Sequence, residues 1–256
     1  TSDRAAQMDA TAHNLTIDIS GDIFGCGAAA VTTDNNPDGF DGGDALAVLT
    51  TGNNVKINLQ STARVYAGGG GGEHGKEGTD GQSGSCFNYI FGEVASGCGF
   101  CGDCSNLGAG YENYGGCASG GGCNCTGWWF WRGCRSRVLS TALCRKQDPV
   151  TVPGGTGGAG GDGGRGRGFN YQTGTLDGSA GATGGSPAGC VGFTGTISNG
   201  SQGATGETGG SGGDWGQNGS NTSDSGDGGE AGDAIVKSSG VTITGIINSN
   251  TIKGSY

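Results

Sequence analysis

Proline is nearly absent, with 4 residues in a chain of 256. Glycine-periodic chains of the collagen type need about 15–20% proline or hydroxyproline, so a collagen triple helix is excluded. Apolar residues make up only 32%, too few for the oil-filled core that a chain of this length normally buries. No run of 18 apolar residues occurs, so no helix of the chain is expected to span a membrane. Histidine occurs twice, at His13 and His74. With no nucleophile elbow, phosphate loop or HExxH present, an enzyme is not expected, and no cofactor or metal is implied. Basic residues are outnumbered 23 to 13, leaving a net charge of −10, which excludes a general nucleic-acid binder. The chain opens TSDRAAQMDA without an initiator methionine or a visible signal peptide, which implies processing or membership of a longer product.

What is abundant is glycine, at 63 residues of 256. From Gly69 the chain reads GGGGEHGKEGTDGQSG, with Gly69, Gly72, Gly75, Gly78, Gly81 and Gly84 three apart. The phase returns at Gly154, Gly157, Gly160, Gly163 and Gly166, again from Gly200 to Gly212, and more briefly at Gly178–Gly184 and Gly226–Gly232. A period of three suits neither an α-helix nor a strand; it suits the left-handed polyproline II helix. Strict phase is also more than a flexible linker needs. The expected fold is therefore irregular and glycine-rich: a bundle of polyglycine II helices with a few short β-strands at its ends and a disulfide-rich insert. The expected layout is a tether with strand units over 1–68, the bundle over 69–85 and 151–232, the insert over 86–150, and a strand unit over 233–256.

Of 11 cysteines, nine cluster as Cys86, Cys98, Cys101, Cys104, Cys117, Cys123, Cys125, Cys134 and Cys144, with Cys26 and Cys190 apart. Such density in a core-poor chain points to disulfides and an oxidising, extracellular compartment. The spacing Cys98-x2-Cys101-x2-Cys104 leaves metal ligation as the rival reading.

Residues 1–12 read as a short helix or a tether. Apolar and polar residues alternate over 14–25, 53–68 and 240–254, as in half-buried strands. Gly43-Asp44-Ala45-Leu46 and Gly232-Asp233-Ala234-Ile235 form an internal repeat, read as strands closing the ends of the bundle. The insert holds FNYIF at 87–91 and WWFW at 128–131, followed by Arg132, Arg135, Arg137, Arg145 and Lys146 with no acidic residue between Thr126 and Gln147.

The stretches GGDGGRGRGFNYQTG, GGSGGDWGQNG and GGEAGDAIV, together with GGDALAVLTTGNNVKIN and YAGGGGG, resemble the glycine-rich distal domains of bacteriophage tail fibres and central tail-tip proteins. The resemblance covers 14–84 and 151–256; the cysteine-rich insert departs from it. It implies an adhesin of the virion tail whose connecting loops meet a host receptor: protein, glycan or lipopolysaccharide. It also implies other tail proteins as partners, with a homotrimer as one expected assembly. By the same resemblance, Arg165, Arg167, Phe169 and Tyr171, and separately Trp215, sit on connecting segments, some of which are corners.

The residues themselves favour a binding module, since recognition concentrates in loops on a rigid scaffold. Trp128, Trp129, Phe130 and Trp131 with Arg132, Arg135 and Arg137 offer stacking planes and anion-pairing forks. The alternative for WWFW is the insert's own small core. Two other functional readings stand beside the adhesin: a structural tail component, and a polyglycine antifreeze protein.

Overall fold

The computed structural model describes residues 4–11, 13–32, 38–51, 54–96, 103–115, 124–126, 133–135, 140–223 and 226–256. Its strands, in chain order, are β1 (Ala6–Ala10), β2 (Thr16–Ile19), β3 (Asp22–Phe24), β4 (Leu46–Thr50), β5 (Val55–Leu59), β6 (Arg64–Tyr66), β7 (Gly84–Ser96), β8 (Glu112–Gly115), β9 (Asn124–Thr126), β10 (Gly133–Arg135), β11 (Ser140–Val152), β12 (Gly195–Ser198), β13 (Ile235–Lys237), β14 (Val241–Gly245) and β15 (Ile252–Lys253). Two compact units result: residues 1–81, 155–186 and 202–256, and residues 82–154 with 187–201.

In the first unit, nine strands form three parallel sheets, ordered β1-β4-β13, β2-β5-β14 and β3-β6-β15. Each sheet takes one strand from residues 6–24, one from 46–66 and one from 235–253. The chain therefore winds three coils of a three-faced parallel β-helix. The reason lies in the alternation. In β5, Val55, Ile57 and Leu59 turn inward while Lys56 is exposed. In register, Ile17, Ile57 and Ile243 form one rung, and Ile23, Val65 and Ile252 another. Ile57, Val65 and Ile252 join Leu46, Val48 and Ile235 in a single buried cluster, with Ile17, Ile23 and Ile243 half-buried against it. Stacking like upon like closes a dry core from few apolar residues.

Turns and outer faces repeat with the coils. Asn14 and Asn54 both take positive φ, a conformation asparagine tolerates, and Asn54 donates from Nδ2 to Asn14 Oδ1 at 3.1 Å. Asn58 donates to Asp18 at 2.6 Å, and Arg64 pairs with Asp22. That pairing holds the Arg64 guanidinium above its ordinary value, chiefly through the side-chain hydrogen bond to Asp22. The Gly-Asp-Ala repeat stacks in register: Leu46 faces Ile235, and the Asp233 amide donates to Asp44 Oδ1 at 2.9 Å.

The expected polyglycine II helix bundle is not seen, and the fold class is corrected to one of β-sheets. No α-helix occurs among the described residues, and Ala6–Ala10 is a strand rather than a helix or tether. The three alternating segments do not cap the ends of a bundle; stacked on one another they make the apolar core. The glycine segments carry no regular secondary structure. They lie side by side and hydrogen-bond to one another through the backbone at every third residue. Gly72, Gly75 and Gly78 donate to the carbonyls of Gly164, Gly161 and Gly158, each at 2.8 Å. This arrangement satisfies buried amides where side chains are missing. Glu73, fully buried, accepts from the Gly226 amide at 2.9 Å.

The second unit is a four-stranded antiparallel sheet, ordered β12-β7-β11-β8, with β9 and β10 pairing separately. The 13-residue strands β7 and β11 pair along their full length, from Ser96 with Ser140 to Gly84 with Val152. Among the described residues two disulfides staple this unit: Cys86 to Cys190 and Cys104 to Cys144. Cys104 opens a single 3-10 turn, Cys104–Leu107, capped by Asp103, which accepts from the Ser105 amide at 3.0 Å. That backbone hydrogen bond holds the Asp103 carboxyl below the ordinary carboxylate range. Cys190, apart from the nine in sequence, proves to be a partner of the cluster. Cys104 is oxidised, so the Cys98/Cys101/Cys104 run loses its third thiolate as a metal ligand; Cys98, Cys101, Cys117 and Cys123 lie outside the described residues. Of Cys125 and Cys134 only the backbone is described, in register with each other. Cys26 is a free thiol. Non-reducing peptide mapping should recover Cys86 joined to Cys190 and Cys104 joined to Cys144; recovery of either with another partner contradicts this arrangement.

Candidate functional site

Strand alternation gives the four-stranded sheet two chemically different faces. One face carries Cys86, Cys144 and Ala142, all buried, with the turn Cys104–Leu107 against it. The other carries Phe87, Tyr89 and Phe91 from β7, Arg145 from β11, and Glu112 and Tyr114 from β8. Phe87 lies against Gly195 of β12, where a Cβ would stand 2.7 Å from its ring. The rings continue as a stripe: Phe87 to Tyr89 at 5.2 Å, Tyr89 to Phe91 at 6.1 Å, and Phe91 to Tyr114 at 5.8 Å between centroids.

Arg145 fixes the stripe. Its guanidinium lies 4.4 Å from the centre of Tyr89 and 4.7 Å from that of Tyr114. Its Nε donates to Glu112 Oε1 at 2.7 Å. The bond to Glu112 raises the guanidinium pKa above its ordinary value, and the carboxylate locally neutralises its charge. This arginine is a rivet between two tyrosines, with its charge already answered.

Beyond the rivet the stripe opens to solvent. Phe91 is 63% exposed and Tyr114 56%. Their planes meet at 68°, and with Glu93 and Leu143 they line a groove of about 300 Å³. A β-bulge at Leu143/Cys144 shifts the register of β8 against β11 beside this groove. Such bulges recur where a side chain is re-aimed.

Of the residues expected to bind, Trp128, Trp129, Phe130, Trp131, Arg132 and Arg137 lie outside the described residues, and only the backbone of Arg135, in β10, is described. Arg165, Arg167, Phe169 and Tyr171 come together at one turn of the first unit, where the amides of Gly168 and Tyr171 exchange hydrogen bonds. Arg167 holds the corner, donating to Asp214 Oδ1 at 3.2 Å and to the Gln172 carbonyl at 2.9 Å. Tyr171 donates to the Thr175 carbonyl at 2.9 Å. Arg165 lies 5.9 Å from the Tyr171 ring centre, and Phe169 is left 65% exposed. Trp215 packs 4.9 Å from Phe24 and 5.7 Å from Tyr66, as a corner post.

Sequence alone does not single out the aromatic face of the insert, although FNYIF marks it. The signal available was alternation: Phe87, Tyr89 and Phe91 at a spacing of two place three rings on one side of a strand. No family model, curated protein or solved structure matches the chain.

Proposed function

We propose that this protein is a surface-binding adhesin, of the tail-fibre or tail-tip kind that its glycine segments resemble. In this reading the aromatic face of the insert meets the host. The observation that carries it is the exposed pair Phe91 and Tyr114 in an open groove. Burying one such side chain is worth about 1.5–3 kcal/mol. A chain with so few apolar residues leaves both rings in water. Contiguous exposed rings beside a groove are a feature of binding surfaces. The scaffold supports the role. Backbone hydrogen bonds at every third residue brace the first unit and disulfides brace the second, which lowers the ordering cost of binding. The disulfides suit an extracellular setting. Recognition by a charged fork is not what this face offers, because Arg145 is already paired.

The test is adsorption of the purified full chain to intact bacterial cells from a panel of strains. Saturable binding to a subset of strains is expected. Phe91→Ser/Tyr114→Ser should weaken it at least about tenfold, the loss of one or two well-packed anchors. No saturable binding to any strain would overturn the reading.

A further inference from the structure

We propose that the Phe91–Tyr114 groove takes a neutral sugar ring of a surface glycan, an inference that rests on the binding role of this face. The lining carries the argument. Phe91 and Tyr114, inclined at 68° with centroids 5.8 Å apart, form a floor and a wall rather than a flat stack. A pyranose ring fits that corner: its C–H face lies on one aromatic plane and its rim of hydroxyls points away from it. The charged side chain lining the groove is Glu93, which is exposed. A carboxylate only accepts hydrogen bonds, and sugar hydroxyls donate them.

The same lining argues against an anionic ligand. Among the described residues the cation on this face beside the groove is Arg145, which is bound to Glu112 at 2.7 Å and held between two tyrosines. A phosphate or carboxylate entering the groove would meet Glu93 instead, on a chain of net charge −10. Repulsion would oppose it. An extended peptide is also poorly served: its backbone amides and carbonyls need partners of both kinds, and aromatic, aliphatic and carboxylate groups supply few donors. Sugar specificity would then come from the corner formed by the rings and from the hydroxyls that Glu93 can reach.

Adsorption of the full chain to a binding strain separates these ligands. Cells are first treated with mild periodate, which cleaves vicinal diols, or with protease, and binding is repeated at low and high salt. Periodate should abolish binding, protease should leave it, and a roughly tenfold rise in salt should change it less than about twofold, because no charge pairing is screened. Phe91→Ala, Tyr114→Ala and Glu93→Ala should each weaken binding several-fold with unchanged thermal melts. Binding that survives periodate, or is lost to protease, overturns the glycan and leaves the adhesin standing. Binding that collapses with salt overturns its neutrality. If the ring variants lower the melting temperature and adsorb normally per folded molecule, the stripe is internal packing and the sugar site is wrong. A chain that adsorbs to no strain fails earlier, at the binding role itself.

Discussion

Gly160→Val and Gly206→Val should each destabilise the protein by at least about 3 kcal/mol, the upper range for an overpacked interior, or prevent folding. A Cβ at Gly160 would overlap the Gly75 carbonyl oxygen and stand 3.0 Å from the His74 ring. At Gly206 it would overlap the Ala159 carbonyl. The atoms overlapped at both positions are backbone carbonyls, which cannot swing aside as a side-chain end can. Relief requires the glycine segments to separate, breaking bonds such as Gly75 to Gly161 at 2.8 Å and Gly206 to Ala182 at 2.9 Å. Each buried amide or carbonyl left unpaired costs about 1–3 kcal/mol. Gly21 is the control, because a Cβ there meets nothing within 4 Å; Gly21→Ala should melt with the wild type. Thermal unfolding followed by circular dichroism reads all three. Unchanged melts for the valine variants would mean that the backbones do not touch.

Ile57→Ala should cost about 3–5 kcal/mol, the upper part of the range for large-to-small core changes. Ile57 is fully buried on the central strand of its sheet, with Ile17 and Ile243 on either side in register. The neighbouring coils are fixed by parallel ladders, so the void cannot collapse. Ile247, 42% exposed, supplies the comparison: Ile247→Ala should cost no more than about 0.5 kcal/mol, as surface changes do. Denaturant melts of the two variants measure the difference. Equal losses would place the core elsewhere than in the β-helix.

The strands of the β-helix were legible in the sequence, because alternation over 14–25, 53–68 and 240–254 shows directly which side is buried. Their stacking was not, since alternation is the same whether strands close a bundle or pile into coils. A finer signal existed: Asn14-Leu15-Thr16-Ile17, Asn54-Val55-Lys56-Ile57 and Gly240-Val241-Thr242-Ile243 repeat one pattern, and these positions stack in register. The glycine period of three is plain in the sequence, but the polyglycine II helices it suggests are not seen. In the structure it marks where neighbouring glycine segments bond laterally. Cys190 could not be paired from spacing, because 104 residues separate it from Cys86. The site was legible only in part. Its rings stand in FNYIF, but Tyr114 and Arg145 reach them through pairings of β11 with β7 and β8, which local sequence does not encode. Of the turn at Arg165–Tyr171, the structure assigns Arg167 to holding the corner and leaves Phe169 exposed.

Among the described residues two exposed surfaces compete for recognition, the groove of the insert and the turn bearing Phe169, and one adsorption isotherm decides between them. Phe91→Ser/Tyr114→Ser and Arg165→Ala/Phe169→Ser are compared with the wild type on the same cells, after melts show all three folded. The expected result is at least about a tenfold loss for the first variant and less than about twofold for the second, since anchors dominate binding energy. The reverse order, or full adsorption by the first variant, would contradict recognition through the aromatic face.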